Sequence, residues 1–257
     1  MTSPFSLEDK TAPVTAGSGA LGQSVGKTLL DMGARVILTS RQSTFPDAVL
    51  ELKDEYGERV LLKQLTFDDE SVADFFADAN GELGEINILI NCAAGGPVRL
   101  SIEDTTSEDL ISSFENSLVS SFLCAKEAVK NQDRLKLSNI INIGSIYGAM
   151  GVDHRIYDDP KKQSTIGYAC AKGALIQMTR YFAAYWAPKG VRVNCVSPGG
   201  IERHQAPDFL ERYGARIPMG RMVTDGEVTG AIAFLASEAS TGITGENIFV
   251  DGGLHAW

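Results

Sequence analysis

The stretch Thr15-Ala16-Gly17-Ser18-Gly19-Ala20-Leu21-Gly22 joins a short β-branched run to a helical pattern, Gln23–Met32. Its three glycines form G-x-G-x-x-G between a predicted strand and a predicted helix. In this setting glycines allow a tight turn and let backbone N–H groups approach a pyrophosphate at the helix N-terminus. The stretch therefore predicts a dinucleotide site, and a glycine turn with only a structural role is the alternative. The residues expected to bind the cofactor here are Gly17, Ser18, Gly19, Leu21 and Gly22.

Outward from this turn, β-branched runs alternate with helical patterns, which is typical of β-α-β units on a parallel sheet. The predicted strands are Thr11–Thr15, Arg35–Thr39, Val60–Leu65, Ile86–Asn91, Asn139–Ile143, Val191–Val196 and Asn247–Val250. No linker divides the chain, so we predict one α/β domain over residues 1–257, a Rossmann-type doubly wound parallel sheet of about seven strands. Pro13 is unusual in the first strand, because proline removes a ladder donor.

Composition excludes several classes of function. The chain has 257 residues, 23 Lys+Arg and 33 Asp+Glu, and a formal net charge of -10, which disfavours nucleic acid and anionic membranes as partners. No long apolar run and no secretory signal is present, so a cytoplasmic protein is expected. The four cysteines, which lack C-x-x-C spacing, are predicted to be reduced core residues: Cys92, Cys124, Cys170 and Cys195. The three histidines lack ligand spacing, so no metal is expected.

The end of the second strand bears on the choice of cofactor. An NAD-type site places an acid there to bind the ribose 2′-hydroxyl, but this chain has Ser40 followed by Arg41. A hydroxyl beside a forked, permanently charged guanidinium suits a 2′-phosphate. The pair favours NADP(H) and leaves NAD(H) open; an exposed loop arginine is the alternative interpretation of Arg41.

Three residues farther along indicate acid/base chemistry. Ser145 follows a predicted strand, at the sheet edge where ligands bind in such folds. Tyr168 and Lys172 share one face of a predicted helix, Thr165–Ala187. A nearby ammonium favours the phenolate, and lowering a tyrosine pKa from about 10 to about 7 takes roughly 4 kcal/mol of differential interaction. The spacing Tyr-x-x-x-Lys alone usually marks a solvated helix face. The position of Ser145 at the end of a predicted strand favours the catalytic interpretation.

Together these residues resemble the short-chain dehydrogenases/reductases, from the Lys10–Thr15 strand to Asp251-Gly252-Gly253. The resemblance implies that Tyr168 is the general acid/base, that Ser145 holds the reacting oxygen, and that Lys172 binds the nicotinamide ribose and lowers the Tyr168 pKa. It assigns a water relay to Asn116, for which a helix kink or a core hydrogen bond is the alternative. The further residues that the resemblance sets beside the cofactor are Asn91, Cys92, Ala93, Pro198, Gly199 and Ile201.

The same resemblance implies hydride transfer between a nicotinamide cofactor and a secondary alcohol or carbonyl. It also implies a homotetramer or homodimer built on the helices Ser107–Lys130 and Thr165–Ala187. Ala16 replaces the family's first glycine, and Leu65 or Thr66 replaces its adenine-side acid. These departures favour an alternative function, that of a regulatory pseudoenzyme that binds the cofactor without catalysis. The presence of all four catalytic positions, Asn116, Ser145, Tyr168 and Lys172, favours an enzyme. A scaffold protein would not require those positions.

A segment between Ser145 and Tyr168 distinguishes this chain from the common family pattern. The two residues are 23 positions apart, which is longer than usual and indicates an insertion at Gly151–Ile166. Together with Ser197-Pro198-Gly199-Gly200-Ile201 and Phe209-Leu210-Glu211-Arg212-Tyr213, this segment resembles a subgroup associated with bacterial surface-glycan and flagellin-modification sugars. Residues 200–222 are expected to form a variable loop and helix region. His154, Arg155 and Tyr157 suit a hydroxylated or anionic sugar-like small-molecule substrate. The alternatives are an apolar ketone as substrate and a solvated loop in which Asp158, Asp159, Lys161 and Lys162 face water.

Overall fold

A computed structural model describes residues 3–77, 84–95, 101–159 and 164–257. The seven strands are β1 Thr11–Val14, β2 Arg35–Ser40, β3 Val60–Gln64, β4 Ile88–Asn91, β5 Asn139–Ile143, β6 Arg192–Pro198 and β7 Asn247–Val250. The helices are α1 Ala20–Asp31, α2 Asp47–Tyr56, α3 Asp69–Ala77, α4 Ser107–Phe114, α5 Ser120–Lys130, α6 Gln132–Leu135, α7 Ile166–Trp186, α8 Pro207–Gly214 and α9 Asp225–Ala236. Each predicted strand is present, within two residues at either end.

All seven strands run parallel in one sheet, in the order β3-β2-β1-β4-β5-β6-β7. The chain begins in the middle, builds outward to β3, and then returns beside β1 to build toward β7. This is the predicted doubly wound, Rossmann-type arrangement. Because the winding reverses between β1 and β4, a crevice opens at the carboxyl ends of those strands, where ligands bind in such sheets.

Proline is tolerated in the central strand β1 because of its place in the ladder. The N–H groups of Thr11 and Thr15 both point toward β4, to Asn87 Oδ1 at 2.9 Å and to the Ile90 oxygen at 3.0 Å. Pro13 lies between them, so its missing N–H falls on that same side. The pairing of β1 with β4 accordingly has one register pair, Val14 with Ile90, whereas the pairing of β1 with β2 has four.

The two faces of the sheet bury separate cores. Successive residues of β2 face opposite sides, so Val36 and Leu38 join one core while Ile37 joins the other. The first core packs against α1 and α9, and the second against α3, α5 and α7. Phe76 of α3 is completely buried, and such burial contributes about 1.5–3 kcal/mol. The described residues include no helix with both the length and the apolar composition to cross a bilayer.

The predicted helix Ser107–Lys130 is interrupted. A π-helical turn, Glu115–Val119, separates α4 from α5. The apolar spacing of this segment could not reveal the turn, because one extra residue per turn changes backbone hydrogen bonds without changing residue type. The capping box of α4 is present: Thr106 Oγ1 accepts the Asp109 N–H, and the Asp109 carboxylate accepts the Thr106 N–H at 3.0 Å. The later box, Thr224 with Glu227 at the start of α9, is present too.

The four cysteines are free thiols, as predicted, but one lies elsewhere than expected. Cys124 and Cys195 are buried and Cys92 is half-buried, whereas Cys170 is exposed on α7. The prediction of a core position for Cys170 is wrong. Small neighbours in sequence lie on different faces of a helix, so they do not show which face a residue occupies.

Candidate active site

The turn after β1 can contain only glycine at two of its positions. A Cβ at Gly17 would lie 2.9 Å from the backbone of Leu38, and a Cβ at Gly22 would lie 2.4 Å from the Ala16 oxygen. Ala16 itself has φ +51°, the left-handed region that glycine adopts without strain. The turn therefore adopts the tight conformation that the motif predicts, even though an alanine occupies its first position.

The N-terminus of α1 presents unpaired donors at this turn. The Ser18 N–H bonds to the Thr39 oxygen at 3.3 Å, and Gly19 is the N-cap residue. The N–H groups of Ala20, Leu21 and Gly22 have no acceptor among the described residues, and the first turn holds no acidic side chain. Free N–H groups at a helix N-terminus bind phosphate. A glycine cradle with free donors fits the pyrophosphate of a dinucleotide.

Arg41 reaches across the cleft from the end of β2. Its guanidinium lies 5.5 Å from the centroid of the Phe67 ring and donates a hydrogen bond to Asn116 Oδ1. Ser40 is buried, and its hydroxyl accepts the Gln42 N–H at 3.1 Å. The residue predicted to select the cofactor thus contacts a residue predicted for catalysis, a contact that neither prediction contained.

The segment after β4 is held by a residue that the sequence analysis left out of the site. Thr15 Oγ1 accepts the N–H groups of Cys92 and Ala93, at 2.9 and 3.0 Å. The Asn91 side chain is 1% exposed and donates to Asn142 Oδ1 at 2.9 Å. Asn91 therefore joins two strands through its side chain. Burial raises the pKa of the Cys92 thiol to about 11, which keeps it uncharged at neutral pH.

Ser145 lies directly beyond β5. A Cβ at Gly144 would lie 2.5 Å from Ser197 Oγ, so a glycine brings the strand end close to β6. Ser145 Oγ caps a short 3₁₀ turn, Ile146–Gly148, by accepting the Tyr147 N–H at 3.2 Å. The serine is 6% exposed and lines a cavity of about 920 Å³.

Tyr168 and Lys172 lie on successive turns of α7. Thr165 is the N-cap residue of this helix, and its hydroxyl accepts the Tyr168 N–H at 3.3 Å. Tyr168 lines the same cavity as Ser145. Lys172 is 1% exposed, its Nζ donates to the Ile143 oxygen at 2.5 Å, and it lies 5.7 Å from the centroid of the Tyr168 ring. The predicted spacing thus sets a buried cation behind a phenol that faces the cavity.

Asn116 lies within the π-helical turn between α4 and α5. Its Nδ2 donates to Ser112 Oγ at 3.2 Å, and a Cβ on Gly95 would lie 3.8 Å from Asn116 Cβ. Gly95 lines the cavity. Isolated π turns occur often at functional sites because they re-aim side chains. Asn116 therefore lies in a helix distortion close to the cavity, and its part in a water relay stays a prediction.

The far side of the crevice follows β6. Gly199 packs against β7, where a Cβ would lie 2.9 Å from Asp251 Cβ, and its N–H bonds to the Val250 oxygen at 2.9 Å. Pro198 ends β6 in register with Val250. Ile201 forms an isolated parallel bridge with Val223.

The insertion and α8 form the outer wall of the cavity. Tyr157, Asp158, Ser164 and Thr165 come from the insertion and its end. From α8 come residues that were not among the predicted site residues: Asp208, Phe209, Arg212 and Tyr213. The sequence signal available for α8 was an amphipathic pattern after Pro198-Gly199, because the apolar face of such a helix packs against another part of the protein.

Two donors predicted on the insertion lie outside the cavity lining. Arg155 is 77% exposed at its side chain and pairs with Asp153 at 2.9 Å, and His154 does not line the cavity. The turn His154–Ile156 buries Ile156, which directs Arg155 outward. The cation in the described lining is Arg212, bound to Asp158 at 2.5 Å and to Asp208 at 3.2 Å. Lys161 and Lys162 lie outside the described residues.

A metal centre is not apparent in the parts of the chain that the structure describes. They contain no group of three or more His, Cys, Asp and Glu side chains arranged to hold a metal ion.

Known proteins resemble this chain over its whole length. A family model described as Enoyl-(Acyl carrier protein) reductase matches residues 16–255. The 3-oxoacyl-[acyl-carrier-protein] reductase FabG of Salmonella typhimurium is 30% identical over 257 residues, covering 98% of this chain and 99% of the relative.

Two solved structures share the fold. A short chain dehydrogenase from Leptospira borgpetersenii with bound NAD+ has a TM-score of 0.86 at 31% identity, covering 99% of this chain and 96% of the other. A gluconate 5-dehydrogenase from Burkholderia cenocepacia, in complex with NADP and tartrate, has a TM-score of 0.87 at 25% identity, covering 99% and 98%. With Ser145, Tyr168 and Lys172 gathered at the sheet edge, the chain belongs to the short-chain dehydrogenase/reductase family of NAD(P)-dependent oxidoreductases.

Proposed function

We propose that this protein reduces a carbonyl group, or oxidises the corresponding secondary alcohol, with NADP(H) on a polar, sugar-like substrate. The observation that carries the proposal is the joint arrangement of Ser145 and Tyr168 in one cavity with the Lys172 ammonium directly behind Tyr168. A hydroxyl donor and a phenol beside a buried cation are the groups that polarise a carbonyl and move a proton.

In the direction of reduction, the Ser145 hydroxyl donates a hydrogen bond to the carbonyl oxygen. A reduced nicotinamide, when bound, supplies the hydride that forms the new C–H bond. As the C=O π bond breaks, the oxygen takes the proton of the Tyr168 hydroxyl. Lys172 stabilises the negative charge left on the Tyr168 oxygen, and Asn116 supports the water chain that returns a proton to it.

Arg41 supports NADP(H) as the cofactor. Its guanidinium stands at the end of β2, where a 2′-phosphate would meet a forked cationic donor. A phosphate at that position would draw Arg41 away from Asn116. The relatives include a protein solved with NAD+ and one solved with NADP, so NAD(H) is the alternative.

The cavity supports a polar substrate. Its described lining combines aromatic rings with hydroxyl, amide and charged groups, a mixture that orients a hydroxylated molecule. The gluconate 5-dehydrogenase that resembles this chain is named for a hydroxylated substrate, and its structure contains tartrate, another hydroxylated molecule.

Exposed apolar side chains support self-association through the long helices. Ile111 is 56% exposed on α4, Phe122 is 41% exposed on α5, and Tyr181 and Tyr185 are 66% and 65% exposed on α7. We propose a homotetramer or homodimer built on these helices. Sedimentation at micromolar concentration would find a monomer if this proposal were wrong.

A thermal-shift screen with NAD+, NADH, NADP+ and NADPH tests cofactor binding. Ligand at 100 times its Kd stabilises a fold by about 2.7 kcal/mol, which for a chain of this size corresponds to a rise in Tm of roughly 5–10 °C. A parallel turnover assay follows nicotinamide absorbance with ketoses, polyols and apolar ketones. A shift without any turnover would favour a regulatory pseudoenzyme, and no shift with any form would refute cofactor binding.

A further inference from the structure

Three tyrosine hydroxyls meet in the wall of the cavity that holds Ser145 and Tyr168. They belong to Tyr147 in the turn after Ser145, Tyr157 in the insertion, and Tyr213 in α8. Tyr147 Oη lies 3.2 Å from Tyr157 Oη, and the Tyr213 hydroxyl is near enough to raise the pKa of Tyr147. The three segments therefore converge in one hydroxyl cluster with Tyr147 at its centre.

Packing of the rings holds these hydroxyls in place. Tyr213 is 4% exposed, and its ring lies so close to Gly200 that a Cβ there would be 2.7 Å away. The Tyr157 ring packs on Phe209 with centroids 5.6 Å apart. Both rings belong to a small apolar cluster around the buried Ile156. A ligand that binds the hydroxyls need not order them first, and this saves free energy of binding.

The cluster keeps at least one hydrogen to donate. Three phenols carry three O–H hydrogens, and each oxygen also accepts. The hydrogen bond between Tyr147 and Tyr157 uses one hydrogen, and a bond between Tyr147 and Tyr213 would use at most one more. Burial raises the pKa of Tyr147 and of Tyr213 above the usual range, so these phenols keep their hydrogens.

The short turn after β5 also connects the cluster to the reacting centre. Tyr147 follows Ser145 by two residues in a short 3₁₀ turn, and its N–H donates to Ser145 Oγ at 3.2 Å. A substrate bound at Ser145 and long enough to pass Tyr147 meets these hydroxyls with another part of its carbon chain.

We propose that Tyr147, Tyr157 and Tyr213 form a second oxygen-recognition site in the substrate cavity, and that the substrate is a polyhydroxylated ketone or the matching polyol. Its remote hydroxyl binds the cluster while the reacting C–O group lies at Ser145 and Tyr168. This inference rests on the proposed function and names the substrate class of that site. A substrate without the remote oxygen leaves a buried donor unpaired, which is how such sites reject deoxy analogues.

The test compares a ketohexose with 2-hexanone, a ketone of the same carbon number that lacks the remote oxygens. The variants are Tyr147→Phe, Tyr157→Phe and Tyr213→Phe, with Tyr56→Phe as the matched control, since Tyr56 lies at the end of α2 and outside the described cavity lining. Wild type should favour the ketohexose in kcat/KM. Each cluster variant should lose roughly 2- to 12-fold on the ketohexose, the range for one neutral hydrogen bond, and nothing on 2-hexanone. The control should change neither value.

Binding without chemistry separates this inference from the proposed reaction. Thermal shifts with a hexitol and NADP+ should be present in wild type and smaller in Tyr147→Phe and in Tyr157→Phe, the less buried alternative. A hexitol shift that these variants reduce, with no turnover of any ketone, would overturn the reaction and support the oxygen site. Equal losses on both ketones, or no preference by wild type for the ketohexose, would overturn the oxygen site while the reaction stood.

Discussion

Gly22→Ala should destabilise this protein although alanine favours helices. The added Cβ would lie 2.4 Å from the Ala16 oxygen and 2.8 Å from Gly17 Cα, whereas carbon and oxygen normally approach to about 3.3 Å. The Ala16 carbonyl cannot yield easily, because it accepts the Gly19 N–H at 2.9 Å. Overpacking of this kind costs about 1–3 kcal/mol, or roughly 2–12 °C in Tm at this chain length.

Gly230→Ala provides a control with the opposite sign. Gly230 is an exposed residue inside α9, and a Cβ there would have no atom within 4 Å. The substitution should stabilise the protein by about 0.5–1 kcal/mol, the usual advantage of alanine over glycine within a helix. Thermal unfolding followed by circular dichroism at constant pH compares both variants with wild type.

Calorimetric titration with NADP+ completes the experiment. Gly22→Ala should weaken binding, because a displaced turn misaligns the free N–H groups of α1, whereas Gly230→Ala should leave the Kd unchanged. A Gly22→Ala protein that unfolds at the wild-type temperature and binds NADP+ normally would refute the steric reasoning.

Further substitutions test the site and the start of α9. Tyr168→Phe should lower turnover by a factor of at least about 100 while cofactor affinity survives, and normal turnover would refute its role; Lys172→Ala should weaken cofactor binding as well. Arg41→Ala should lose about 1.5–3 kcal/mol of binding free energy with NADP(H) and little with NAD(H); equal losses in Kd would mean that Arg41 does not read the 2′-phosphate. Bonds from Arg221 and from the Thr224 N–H lower the pKa of Glu227 from 4.5 to about 2. A lowered carboxyl pKa stabilises the fold above pH 4.5 and loses this effect as the pH falls through 2. Glu227→Gln should therefore lower Tm at pH 7 and lower it much less at pH 2; a constant difference in Tm would contradict this.

Local sequence patterns predicted the strands, the two capping boxes and the pair Tyr168 and Lys172. Each strand core and both capping boxes depend on residues close in sequence, so β-branched runs and the Thr106 and Thr224 signatures were sufficient. The pair Tyr168 and Lys172 was predictable for the same reason, since one helical turn joins them.

The tertiary structure decided which distant groups meet. Arg41 and Asn116 are 75 positions apart and come into contact only because β2 and the π turn border the same crevice. Thr15 bonds to the N–H of Cys92 across adjacent strands, which no local pattern indicates.

The substrate side depended most on folding. Arg155 was expected to face the cavity, yet the burial of Ile156 directs it outward, and Arg212 from α8 is the cation that lines the wall instead. Sequence determines which side chains a short turn carries. Its rotation is determined by whichever apolar residue finds a partner to pack against, and for Ile156 that partner is a helix more than 50 residues farther along the chain.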